Sequence, residues 1–124
     1  MKNKYLWTVL SIVALIIVAA TLLPEPIDTN LEKIGNGQKS VVFVYDLNLA
    51  VSNQQANEIN RARKMIGEQV NFLVVRAGDP TRDDFKHEYQ TRSADLLFFN
   101  GAGELVDRQR ALLNAEALIE KVTD

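Results

Sequence analysis

After residue 38 three short stretches of this chain are almost wholly apolar, and between them the apolar positions fall three and four residues apart. Val41-Val42-Phe43-Val44-Tyr45 is β-branched and aromatic without alternation. That pattern predicts a central strand covered on both faces. Val70 to Val75, Asn71 excepted, predicts a second strand, and Leu96-Leu97-Phe98-Phe99 a third. Between the first two, Ala56, Ile59, Ala62 and Ile66, with Met65 beside them, predict a helix from about Asn53 to Ile66. Ser52 is placed to cap its start and Gly67 to stop it. Asp79 followed by Pro80 opens a further helix running to about Gln90, with Phe85 and Tyr89 four apart as its apolar contact. Asn100-Gly101-Ala102-Gly103 is a turn and Glu104 to Gln109 the returning strand of a hairpin. Asn114 caps a last helix to about Val122, on which Leu118 and Val122 share a face with Ala115 and Ile119 adjoining.

The predicted order is therefore βαβαββα. Two parallel strands joined by a helix, followed by an antiparallel hairpin, give an α/β architecture with a mixed four-stranded sheet and flanking helices. The chain divides into an N-terminal segment over residues 1–23, a linker over 24–38 with two prolines and the turn-prone Gly35-Asn36-Gly37, and a domain over 39–124.

The N-terminal pattern is different in kind. From Tyr5 to Leu23 the polar residues are Thr8, Ser11 and Thr21, and no residue is charged. As a helix this run is about 28 Å long, against about 30 Å for a hydrocarbon core. Tyr5 and Trp7 stand where an aromatic belt meets headgroups, and Leu23 ends the run before Pro24. Lys2 and Lys4 precede it, with Glu25 and Asp28 after. The expectation is a single transmembrane helix, contacting the bilayer through residues 5–23, with its N-terminus in the cytoplasm. The rival is a cleaved signal peptide, for which Val18-Ala19-Ala20 offers small residues; the uninterrupted length favours the anchor.

Of the 14 Lys and Arg residues, Lys2 and Lys4 precede the apolar run, leaving 12 against 16 acidic residues after it. A mildly acidic domain of this kind is a poor match to nucleic acid, which selects a concentrated basic face. There is no cysteine, which excludes disulfide exchange, thiol peroxidase chemistry and cysteine-ligated metal.

The element order resembles the thioredoxin fold, and the C-terminal half carries the resemblance in detail. Residues Tyr89-Gln90-Thr91-Arg92-Ser93-Ala94-Asp95-Leu96-Leu97-Phe98-Phe99 resemble the family stretch in which a Tyr-x-Val-Arg segment leads to a cis-proline, a threonine and an apolar strand. Gly101-Ala102-Gly103-Glu104-Leu105-Val106 resembles the hairpin that follows, and Arg110-Ala111-Leu112 the entry to the last helix. The first strand and helix of a full thioredoxin have no match. The resemblance implies that the family's CxxC would fall near Leu49-Ala50-Val51-Ser52, its cis-proline at Ala94, and its buried carboxylate near Val42 or Phe43. None of those groups is present. A non-proline cis bond costs about 2.5–4 kcal/mol, so a trans bond is expected at Ala94.

The resemblance also implies a surface for extended peptides, formed by the loop Asp46 to Val51 and the facing Arg92-Ser93-Ala94. Leu47, Leu49 and Val51 make that surface apolar. Either it is a docking groove, with strand addition beside Ala94, or these side chains fold under and close the core. The expected contact residues are Leu47, Leu49, Val51, Arg92, Ser93 and Ala94. Asp83, Asp84, His87 and Glu88 share a helix, but two ligands at helical spacing fall short of a metal site, and a solvated face accounts for them. Ser52 and Ser93 lack a nucleophile elbow, and His87 is the one histidine that would serve as base. Arg61, Arg63 and Lys64 form a small basic patch. No catalytic residue, cofactor or metal is expected.

Together, the anchor and the resemblance imply a bacterial inner-membrane, single-pass protein with a periplasmic, non-redox domain. Its expected work is protein binding, as an accessory subunit alongside another envelope protein. The alternative is an enzyme or redox-pathway accessory using non-cysteine chemistry on the same fold.

Overall fold

The computed structural model describes residues 2–22 and 26–123, with the side chains of 2–4 and 18–22 excepted. Leu23, Pro24 and Glu25, and the side chains of Lys2, Lys4, Val18, Ala19 and Ala20, on which parts of the anchor and peptidase readings rest, lie outside the described residues. The elements are α1 (Lys2–Leu22), β1 (Ser40–Tyr45), α2 (Ala50–Ile66), β2 (Asn71–Arg76), α3 (Asp83–Glu88), β3 (Asp95–Phe99), β4 (Leu105–Arg110) and α4 (Ala115–Val122).

The strands form one sheet in the order β2-β1-β3-β4. β1 pairs parallel with β2 and antiparallel with β3, and β4 runs antiparallel to β3. The continuous apolar runs are explained by cover on both faces. Val41 and Phe43 of β1, with Leu96 and Phe98 of β3, pack against Ile59 and Ala62 of α2 and Leu118 and Val122 of α4. The alternate residues Val42, Val44, Leu97 and Phe99 face the other way, with Phe85 and Tyr89 packed over them. Each fully buried side chain of this size contributes about 1.5–3 kcal/mol, so a one-residue slip of register would forfeit both layers at once.

The membrane anchor is a correction. α1 is helical and its described apolar side chains are exposed. Yet among the described residues no helix is long and apolar enough to cross a membrane. The transmembrane part of the expected fold class is therefore overturned, and with it the single-pass inner-membrane localisation and the periplasmic placement that depended on it.

Two helix boundaries also differ from expectation. α2 begins at Ala50 with Leu49 as an N-cap that makes no side-chain bond. Ser52 lies inside the helix, fully buried, where its Oγ accepts from the Asp46 N–H at 3.0 Å. The helix expected over residues 80–90 is split into a 3₁₀ turn at Pro80–Arg82, capped by Asp79, and the short α3. Its aromatic contact is kept: Phe85 and Tyr89 lie 4.8 Å apart, and Tyr89 meets Phe99 edge-on at 5.2 Å.

The 24–38 stretch is packed onto the domain wherever it is described. Val74 N–H donates to Asp28 O at 2.9 Å, a single parallel rung on the β2 edge. Ile27 joins one core layer, and Leu31 and Ile34 the other. Gly37 N–H donates to Gly101 O at 3.0 Å. A Cβ on Gly101 would stand 2.7 Å from Gly37 O, so this crossing admits no side chain.

Candidate functional site

The antiparallel pairing of β3 with β1 and β4 brings three connections to one end of the sheet. These are residues 46–49 after β1, residues 89–94 before β3, and residues 111–114 after β4. They are tied to one another by named bonds. Ser93 Oγ–H donates to Asp46 Oδ2 at 2.8 Å. Ala94 N–H donates to Val44 O at 2.8 Å, and Ala111 N–H to Ala94 O at 2.9 Å. Gln55, fully buried on α2, donates to Leu113 O at 2.8 Å and accepts from Leu113 N–H at 2.7 Å.

Asp46 is the hub of the first loop. Its carboxylate also accepts the Asn48 N–H at 2.9 Å, and its backbone carbonyl accepts the Leu49 N–H. The Asn48 amide, and then the Ser93 hydroxyl, hold its carboxyl below the ordinary carboxylate range. The group facing Ser93 is thus a weakened base, and His87 stands elsewhere, exposed on α3.

Asp95 anchors the second loop from beneath. It is 2% exposed at the start of β3. Its Oδ2 accepts the Arg92 N–H at 2.7 Å and approaches Arg108 Nη1 at 3.4 Å, while Arg110 Nη1 lies 3.8 Å from Oδ1. Arg108 also donates to the Tyr89 and Gln90 carbonyls, and Arg110 to Ser93 O at 2.9 Å. One buried carboxylate and two arginines of β4 therefore fix the whole 89–95 connection, in which Gln90 and Ala94 take positive φ of 49° and 71°.

The six expected contact residues separate into two groups. Leu47 is 78% exposed, Leu49 is 36% exposed and Arg92 is exposed. Val51 is half-buried and packs on the core, Ala94 is buried, and Ser93 is spent on Asp46. The bond before Ala94 is trans; the cis peptide among the described residues is Ala111–Leu112. Strand addition beside Ala94 is closed, because both its backbone groups are already bonded within the domain.

Sequence reasoning missed Leu112, 50% exposed on the third connection. It also missed the Asp95–Arg108–Arg110 clamp and the Gln55–Leu113 pair. Arg108 and Arg110, two apart on a strand, share a face; that spacing was the available signal.

The remaining candidates are dispersed. Arg61 is neutralised by Glu58 at 2.6 Å and Glu116 at 2.8 Å, and Arg63 donates to Asn60 at 2.9 Å, so the basic patch is broken up. Asp83 pairs with Lys86 at 3.1 Å. Among the described residues no group of three His, Cys, Asp or Glu is placed to hold a metal ion.

No protein-family model matches this chain, and no curated protein matches it. Solved structures do. An uncharacterized thioredoxin-like protein from Clostridium perfringens superposes with a TM-score of 0.65 at 14% identity, covering 77% of this chain and 79% of that one. Trxlp from Edwardsiella tarda EIB202 gives 0.63 at 17% identity, over 75% and 89% of the two chains. The exposed lipoprotein thioredoxin Etrx1 of Streptococcus pneumoniae gives 0.63 at 15%, over 71% and 85%. At these identities the likeness concerns the fold. The chain has a thioredoxin-like α/β fold with a mixed four-stranded sheet, and it has no cysteine.

Proposed function

We propose that the chain is a non-catalytic thioredoxin-like module that binds another protein at the loop end of its sheet, as an accessory subunit. The observation that carries this reading is the pairing of rigid loops with exposed leucines. The three connections are bonded to each other and to a buried carboxylate, so their geometry is fixed. On that fixed frame Leu47, Leu49 and Leu112 present apolar side chains to solvent. Exposed apolar side chains gathered on one rim favour a contact surface. The missing sulfur supports the non-redox part of the reading, since a helix start of this kind activates a thiolate only where a cysteine stands.

The test is affinity purification of the full chain from its native host, wild type against the Leu47→Asp/Leu112→Asp double variant. Both positions are solvent-facing, so circular dichroism should show the fold retained. The reading expects a protein held stoichiometrically by the wild type and lost with the variant. Retention of the same proteins by both chains would remove the rim from the account.

A further inference from the structure

We infer that the rim takes the apolar face of an amphipathic helix with a carboxylate at its flank, and not an added strand. This rests on the docking reading above and specifies the occupant. A partner segment must keep its own backbone groups hydrogen-bonded when it displaces water. An extended segment does so by bonding to free backbone groups of its host. At residues 92–94, where an added strand would pair, those groups are spent. Arg92 N–H donates to the Asp95 carboxylate, and Arg92 O accepts the Asp95 N–H. Ser93 O accepts from Arg110. Ala94 N–H and O are bonded to Val44 and Ala111. Of the six backbone groups at 92–94, the Ser93 N–H alone is left for a partner, and one bond does not hold a strand in register.

A helix needs far less from its host's backbone, because all but the groups of its end turns are bonded internally. What it needs is apolar side chains for its face and charge for its flank, and the rim supplies both. Leu47, Leu49 and Leu112 are the apolar contacts. Arg92 stands exposed on the second connection, at the same end of the sheet, and among the described residues no acceptor reaches its guanidinium. Arg110 lies next to it with its side chain 55% exposed. Asp95, the carboxylate between Arg108 and Arg110, is buried beneath them. The rim also carries the Asp46 carboxylate, which already accepts from Ser93 and Asn48, so the charge left without a partner is that of Arg92, and it selects an acid on the flank that meets it.

The experiment is selection of binders to the immobilised full chain from a displayed library of random 16-residue peptides, followed by affinity measurement on synthetic winners. The inference expects apolar residues at i, i+3, i+4 and i+7 with Asp or Glu beside them, and helical circular dichroism on binding. Leu47→Asp should weaken the winners about tenfold or more. Arg92→Glu should weaken them about 2- to 5-fold, with recovery when the peptide's acid is changed to Lys. Winners that lose affinity with Leu47→Asp but are extended, or show no acidic preference, would overturn this inference and leave the docking reading standing. A library that yields no peptide sensitive to Leu47→Asp would overturn both.

Discussion

Replacing Asp95 by alanine should be among the most damaging single changes in the domain, although it removes no apolar side chain. The carboxylate is almost fully enclosed and accepts the Arg92 N–H at 2.7 Å, with Arg108 and Arg110 at 3.4 and 3.8 Å. Asp95→Ala leaves the Arg92 amide without its acceptor, which costs about 1–3 kcal/mol. It also deprives two cations of their counter-charge. Breaking a fully buried pair costs about 3–5 kcal/mol, but these guanidinium groups are 36% and 55% exposed and keep carbonyl acceptors at Tyr89, Gln90 and Ser93. The combined cost is therefore set at about 2–3 kcal/mol, or about 10–20 °C in melting temperature for a domain of this size. Asp95→Asn keeps an acceptor for the amide and loses only the charge, so it should fall between wild type and alanine. Urea denaturation of the full chain, followed by far-UV circular dichroism, reads the order directly. If Asp95→Ala lies within about 0.5 kcal/mol of wild type, the range of an ordinary surface change, the clamp does not hold the loop.

Gln55→Leu should cost about 2–3 kcal/mol, because both the N–H and the carbonyl of Leu113 lose their partner inside the domain; a urea midpoint equal to wild type would contradict this. Gly101→Ala should cost about 1–3 kcal/mol, since its Cβ would press on Gly37 O, and thermal melting measures it. Stability should also depend on acid. The carboxyls of Asp28, Asp46 and Asp107 are held below their ordinary value, chiefly by Lys33, by the Asn48 amide and by Lys121 respectively. Such groups bind fewer protons folded than unfolded, so their contribution is complete above the unfolded pKa and is lost as pH falls through the folded one. The unfolding midpoint should hold steady from about pH 7 to 5 and fall below about pH 4, less steeply in Asp107→Asn. A midpoint unchanged through that acid range would refute the assignment.

The parts of this fold that are legible in the sequence are those set by local pattern. The runs at 41–45 and 96–99 announce strands covered on both sides, and Asn114 announces a helix start, its Oδ1 accepting the Ala117 N–H. Ser52 misleads because a serine near a helix start reads as a cap. Its hydroxyl is turned inward to Asp46, and Leu49 takes the boundary without a side-chain bond. The third helix is legible in its Phe85–Tyr89 contact but not in its break, because its polar face carries no period. Half of the candidate site follows from the loop Asp46 to Val51. The other half depends on register. Asp95 meets Arg108 and Arg110 only because β3 and β4 pair Asp95 with Arg110 and Leu97 with Arg108. Leu112 joins the rim only because Gln55 holds Leu113 from another element, across 58 residues of chain. Contacts of that separation have no local signature. The apolar N-terminal run shows the opposite failure, in which a strong local pattern supports a transmembrane reading that the described helix does not meet.

The central claim is that the loop-end rim binds another protein. A photo-crosslinking side chain placed at Leu47 or Leu112, and as a control at Met65, exposed at the far end of α2, tests it most directly in cells. The account predicts one discrete heavier adduct from positions 47 and 112 and none from 65. Equal adducts from all three positions, or none from the two rim positions, would contradict it.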